Sequence, residues 1–286
     1  MPGLPLALSN LLMGMHYGSE WGNADFLAVA REMGAQQAAA PAAVAPVVAV
    51  GAAERPLRIG YVSGDFNSHP VGYFLESVLA AHDRRRVTVL CYANNSRSDA
   101  LTERLRGLAD GWQEIVALGD EAVAAQIRAD RIDVLVDLSG HTGNNRLGLF
   151  ARRLAPVQVS WLGYFGSTGL PEMDWVLADR HVIPLGEERF FSEAVWRLPA
   201  SYLCFTPPAV ELPVGPPPML AEGCVTFGCF NNRAKIGLAC VALWSATLAA
   251  LPQARLLLKA RQFGDAGVRE ALRAQFAAHG IAANRL

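Results

Sequence analysis

A chain of 286 residues is long enough for about two domains, and 52% hydrophobic against 18% charged residues supplies sizeable cores. The net charge of −1 removes any overall electrostatic case for nucleic acid. Five cysteines, an odd number without a Cys-x-x-Cys pair, suit a reducing cytoplasm, with Cys91, Cys224 and Cys229 reading as small buried hydrophobes in or beside strand-like runs. No basic, then apolar, leader opens the chain. The apolar stretch 38–53 is short and broken by Pro41 and Pro46, so it makes a poor membrane span.

In chain order, 5–36 reads as a helical pair, with stripes Leu8, Leu11, Leu12, Met15 and Phe26, Val29, Ala30, Met33, and Asn23 as a cap. It is either the end of a helical repeat array or a brace against the next domain. The Ala/Pro/Val stretch 38–55 reads as a linker. From Leu57 the pattern alternates strand and helix. Leu57, Ile59, Tyr61 and Val62 form a strand, 63–68 is turn chemistry, and Val71, Phe74, Leu75 and Val78 recur at helical spacing behind Pro70. Strands follow at 87–92, 114–118, 132–138, 157–161 and 175–178. Helices between them are capped by Ser98 and Asp120 and opened by Asn144. The run IDVLVDL at 132–138 is continuous enough to be buried on both faces, as in a parallel sheet. The pattern implies a doubly wound α/β domain over 55–198, after a helical segment and linker over 1–54. A proline-dense connector spans 199–219, and 220–286 begins a second lobe of two strands (224–230, 255–259) and two helices. That is about half a Rossmann-like lobe, so the second domain is expected to be cut short.

Three polar clusters fall at strand ends, where open α/β sheets bind ligands. His69 precedes Pro70 at a helix N-terminus, whose positive end favours the neutral imidazole that a general base needs. The same position also suits a plain cap. Asp137, His141 and Thr142 lie in DLSGHTG after the strongest strand. The glycine turn between Asp137 and His141 allows both to face the crevice, although an Asp there also serves as a turn cap. Asn232 and Lys235 lie in FNNRAK after the first strand of the second lobe, where a cation beside free backbone N–H groups suits a diphosphate, or is simply a solvated charge. GYFGSTG lacks the spacing of a dinucleotide fingerprint. His16, His82, His181 and His279 have no metal-ligand spacing, and Arg84-Arg85-Arg86 reads as a solvated turn.

Together, RIGYVSGDFNSHPVGYFL, the segment from DVLVDLSGHTG to EMDWVLAD, and FNNRAKI closely resemble the catalytic region of bacterial O-linked N-acetylglucosamine transferases, over about residues 57–260. The N-terminal helices resemble the segment joining that family's tetratricopeptide repeats to its catalytic region. The resemblance implies a GT-B fold, two Rossmann-like lobes with a sugar nucleotide bound between them. It implies inverting transfer of N-acetylglucosamine from UDP-GlcNAc to protein Ser/Thr hydroxyls, without metal or cofactor. His69 matches the family's proposed base, and Asp137 and His141 match residues lining the sugar and acceptor site. Lys235 matches the lysine holding the diphosphate, and Asn232 and Thr142 fall on the donor side. Two departures stand out: the domain that animal members insert between the lobes is absent, and the later donor-lobe motif has no counterpart before Leu286. Weak donor binding by this chain alone is therefore expected, with the rest of the donor lobe as a required partner. Related O-fucosyl or N-glucosyl transfer, and a non-catalytic binding scaffold, are the alternatives.

Overall fold

A computed structural model describes residues 4–38, 55–207, 210 and 212–286. The linker expected at 38–55 lies almost entirely outside them. The fold has two compact units: Met1–Met15 with Trp21–Pro208, and His16–Glu20 with Ala209–Leu286.

The first unit opens with α1 (Leu4–Met15) and α2 (Asn23–Ala38). The α2 start is set by Gly22, not by Asn23. The Gly22 carbonyl accepts the Phe26 N–H, and Asp25 reaches back to accept the Gly22 N–H at 2.8 Å. The alternating region follows as β1 (Leu57–Ser63), α3 (Pro70–Ala81), β2 (Val87–Ala93), α4 (Ala100–Leu108), β3 (Gly111–Glu114), α5 (Asp120–Ala129), β4 (Val134–Asp137), α6 (Leu147–Phe150), β5 (Val157–Ser160), β6 (Trp175–Ala178) and β7 (Ala194–Arg197). The seven strands form one parallel sheet in the order β3-β2-β1-β4-β5-β6-β7.

The period-2 alternation of a strand divides the core between the two faces of the sheet. Tyr61, Cys91 and Val136 pack with Phe66, Leu75, Leu79, Leu101 and Leu105 on the α3–α4 side. Their neighbours Val62, Tyr92 and Leu135 pack with Val123, Ile127, Leu147 and Phe150 on the α5–α6 side. Leu8 and Met33 join that second cluster, so the helical pair braces the domain. At the sheet's opposite end, Asp133 accepts two 2.8 Å bonds from the Arg55 guanidinium and one from the Arg58 N–H, tying the start of β1 to the start of β4.

Several boundaries differ from the sequence pattern. The third strand is GWQE at 111–114, not 114–118, paired from Leu90↔Gly111 to Ala93↔Glu114. As an edge strand it has a partner on one side only and does not need an apolar run. The edge strand β7 escaped the pattern for the same reason. Asp99, not Ser98, caps α4: its carboxylate accepts the Leu101 and Thr102 N–H groups, and the Thr102 hydroxyl accepts the Asp99 N–H. Gly119 caps α5, leaving Asp120 in the first turn, ion-paired to Arg146. Asn144 does not open a helix, because its backbone is left-handed, φ 57°. The helix starts at Leu147. The start of the expected connector packs on α3: Thr206 N–H donates to the Tyr73 carbonyl, and Thr206 Oγ1 accepts the Ser77 N–H.

The second unit carries α7 (Met219–Glu222), β8 (Thr226–Cys229), α8 (Leu238–Ala250), β9 (Arg255–Leu258) and α9 (Ala266–Ala277). β8 and β9 form a parallel pair. Val241, Leu248, Leu256, Leu272 and Phe276 make its core. Phe227 and Leu257 stay exposed on the strands, and a cavity of about 680 Å³ lined by Pro217, Thr226, Phe230, Leu257 and Leu286 opens beside them.

Candidate active site

In the first unit the chain leaves β1 toward β2 and β3 on one side, then returns to place β4 on the other. The crevice at the carboxyl ends of β1 and β4 is therefore a topological switch point, where doubly wound sheets bind ligands. Two of the predicted clusters sit there: His69 follows β1, and Asp137, His141 and Thr142 end or follow β4. The two loops touch. The Gly64 N–H lies 3.4 Å from Ser139 Oγ, and a side chain at position 64 would collide with Asn144.

His69 caps α3, with Nδ1 accepting the Val71 N–H at 3.3 Å, and its side chain is 43% exposed. A neutral ring accepting at Nδ1 carries its proton on Nε2 and can donate there. To take a proton at Nε2, the ring must carry its hydrogen at Nδ1 instead. Asp65 Oδ2 lies 3.7 Å from that atom and is the group able to receive the bond. Burial raises the Asp65 carboxyl above the ordinary range, partly offset by the charge of His69.

Asp137 is 1% exposed. Its carboxylate accepts the Ser139 N–H at 3.1 Å and the Gly140 N–H at 2.7 Å, so the turn-cap reading holds in the geometry. Burial pushes its pKa up to about 6, against the pull of those two donors and with a further push from Glu193. His141 is also 1% exposed, with Nδ1 2.9 Å from Ser9 Oγ, Nε2 3.1 Å from the Thr168 carbonyl, and its ring edge-on to Tyr164. The ring has almost no surface on which to meet a substrate; its contacts orient the loop. Thr142 is half-buried and donates to the Ser139 carbonyl at 2.7 Å.

Sequence reasoning missed the buried carboxylate of Glu193, which accepts the Ser167 hydroxyl, the Thr168 N–H and the Thr168 hydroxyl. No motif marks it, because it stands just before an edge strand. Ser9 was also missed, and its one signal is a hydroxyl inside an apolar helical stripe.

In the second unit, Asn232 caps a short 3-10 turn, Arg233–Lys235: its Oδ1 accepts the Ala234 N–H at 3.0 Å and a bond from Gln262. Lys235 is exposed, and no ion pair among the described residues engages its ammonium. Of the histidines without metal-ligand spacing, His82 bonds the Tyr61 hydroxyl at 2.9 Å, and His181 and His279 are exposed.

The first unit's switch-point sheet, followed by a second strand–helix unit, defines a GT-B fold present in part, the architecture of sugar-nucleotide transferases. The matched segment, residues 45–205, carries both strand-end clusters of the first unit and is that of glycosyl transferase family 41; the chain belongs to this family. It is 43% identical over 221 residues to the probable UDP-N-acetylglucosamine–peptide N-acetylglucosaminyltransferase SPINDLY of Petunia hybrida, covering 76% of this chain and 24% of that protein. Over 153 residues it is 35% identical to the UDP-N-acetylglucosamine–peptide N-acetylglucosaminyltransferase of Caenorhabditis elegans, covering 51% and 13%. A solved variant of the Thermobaculum terrenum O-GlcNAc transferase superposes with a TM-score of 0.91 at 41% identity, over 100% of this chain and 54% of that one. The chain thus spans about a quarter of the plant relative. No helix among the described residues is long and apolar enough to cross a membrane.

Proposed function

We propose that this chain carries the acceptor-side lobe and part of the donor lobe of an inverting, metal-independent glycosyltransferase. It would move N-acetylglucosamine from UDP-GlcNAc to Ser or Thr hydroxyls of proteins. The observation that carries the reading is the half-exposed imidazole of His69 at the switch point, one loop from the Asp137 turn, in a chain of family 41. In this reading the acceptor hydroxyl attacks the anomeric carbon as its proton leaves, and the bond to the diphosphate breaks. His69 would take that proton at Nε2 once its ring hydrogen has shifted to Nδ1 and toward Asp65. Asp137 and His141 would hold the floor of the site, with Thr142 beside them. Lys235, exposed on the turn capped by Asn232, would meet the charge of the departing diphosphate, a contribution of about 3 kcal/mol for one such donor.

The test supplies UDP-GlcNAc and a Ser/Thr peptide to the 286-residue chain together with a polypeptide completing the donor lobe. Peptide mass and anomeric configuration are read with and without a metal chelator. His69→Asn keeps a good helix cap but deletes the imidazole. It should leave stability within about 0.5 kcal/mol of wild type and cut transfer by about a hundredfold or more. Lys235→Ala should weaken donor use. Transfer unchanged in both variants would overturn the assignment.

A further inference from the structure

We infer that the N-terminal helical pair is a positioning element of the candidate site: Ser9 on α1 donates to His141 and, with the Thr168 carbonyl that sets the ring's tautomer, fixes the orientation of the imidazole and of the loop after β4. Ser9 is 3% exposed on a helix face that otherwise buries Leu8, Leu12 and Met15. A hydroxyl placed there without a partner is costly, and this one lies 2.9 Å from His141 Nδ1. The opposite ring nitrogen faces the Thr168 carbonyl at 3.1 Å, and a carbonyl only accepts. Nε2 therefore bears the hydrogen; in the neutral ring Nδ1 then offers a lone pair, and Ser9 is the donor.

The helical pair grips both ends of this chain of bonds. Gly169, next to Thr168, has φ 74°, and its backbone lies so close to the α2 carbonyl of Ala30 that a Cβ has no room. Gly34 on α2 meets the Gly169 carbonyl in the same way. On the far side of Thr168, Glu193 accepts its N–H and hydroxyl, fixing the carbonyl that holds Nε2. Tyr164, edge-on to the imidazole, packs with Leu12 and Ala30. Ser9, His141, Thr168 and Glu193 thus form one buried line from α1 to the start of β7. The value of this line to catalysis rests on the transferase reading; the bonds do not.

The experiment uses the 286-residue chain with nitrogen-15-labelled histidine. Long-range proton–nitrogen spectra report which ring nitrogen of His141 is protonated, and loss of one signal set in His141→Gln gives the assignment. Wild type should show a neutral ring with hydrogen on Nε2 and a hydrogen-bonded, unprotonated Nδ1. Ser9→Ala should move the Nδ1 signal toward the value of a free lone pair, and Ser9→Thr, which keeps the hydroxyl, should restore it. A wild-type ring protonated at Nδ1, or a Ser9→Ala spectrum identical to wild type, overturns the inference. If Ser9→Ala does not fold, Ser9→Gly deletes the same hydroxyl and should give the same shift of the Nδ1 signal, its absence overturning the inference. Because no sugar transfer is measured, failure here is distinct from failure of the proposed reaction.

Discussion

Replacing Asp137 by Asn tests how the strand-end turn is balanced. Two backbone N–H groups favour its carboxylate, yet burial and the nearby Glu193 outweigh them and bring the pKa up to about 6. An unfolded aspartate titrates near about 3.9. The gap of about two pKa units, at about 1.36 kcal/mol each, corresponds to about 3 kcal/mol. The folded state binds this proton more tightly than the unfolded state. The group's favourable contribution is therefore complete below about pH 4 and is lost as pH rises through about 6. Urea unfolding of wild type and Asp137→Asn, at steps from about pH 4 to 8, isolates the effect, because other titrating groups are common to both. Wild type should lose about 2 kcal/mol of that relative to the variant between about pH 4 and pH 7, and the carbon-13 signal of the Asp137 carboxyl should titrate near 6. Parallel stability curves, or a carboxyl midpoint near about 4, would refute the argument that burial wins over the two N–H donors.

Gly169→Ala should be severely destabilising. A left-handed backbone costs an alanine about 1 kcal/mol, and the added carbon meets the rigid Ala30 carbonyl, so at least about 3 kcal/mol in total is expected by denaturant unfolding. A loss under about 1 kcal/mol would mean that α2 yields readily. Asp99→Ala should cost about 1–2 kcal/mol through loss of the α4 cap. The Ser68 N–H leads the backbone donors that hold the Asp99 carboxyl down at about 2. Its share of stability is thus present above about pH 4 and lost as pH falls toward 2, so the wild-type advantage over Asp99→Ala should shrink in acid.

How far the sequence could be read depended on how many neighbours each element has. β1 and β4 are covered on both faces and both edges, so most of their residues are apolar, and the pattern marked them. β3 and β7 are edges, paired on one side, and β3 contains Gln113 and Glu114 without penalty. Caps were legible as a type but not as a position: Ser98 and Asp99 are both good cap residues, and Asp99 takes the role because it also accepts the Ser68 N–H from the loop after β1. For the candidate site, strand-end placement put His69 and Asp137 beside one crevice. What could not be read was orientation. His141 was expected to line a site with its ring, yet the ring lies under the loop between a helix and a carbonyl.

The sequence by itself determined the parallel α/β domain and the polar clusters at strand ends, because burial leaves apolar runs and helical stripes that each doubly covered segment displays. Only the tertiary structure decided which polar groups are sealed inside. The bond from Ser9 to His141 joins residues 132 positions apart. Glu193 raises the pKa of Asp137 from the start of another strand. Whether a buried hydroxyl, imidazole or carboxylate is tolerated depends on the partner that arrives from elsewhere in the chain, and local pattern carries no record of that partner.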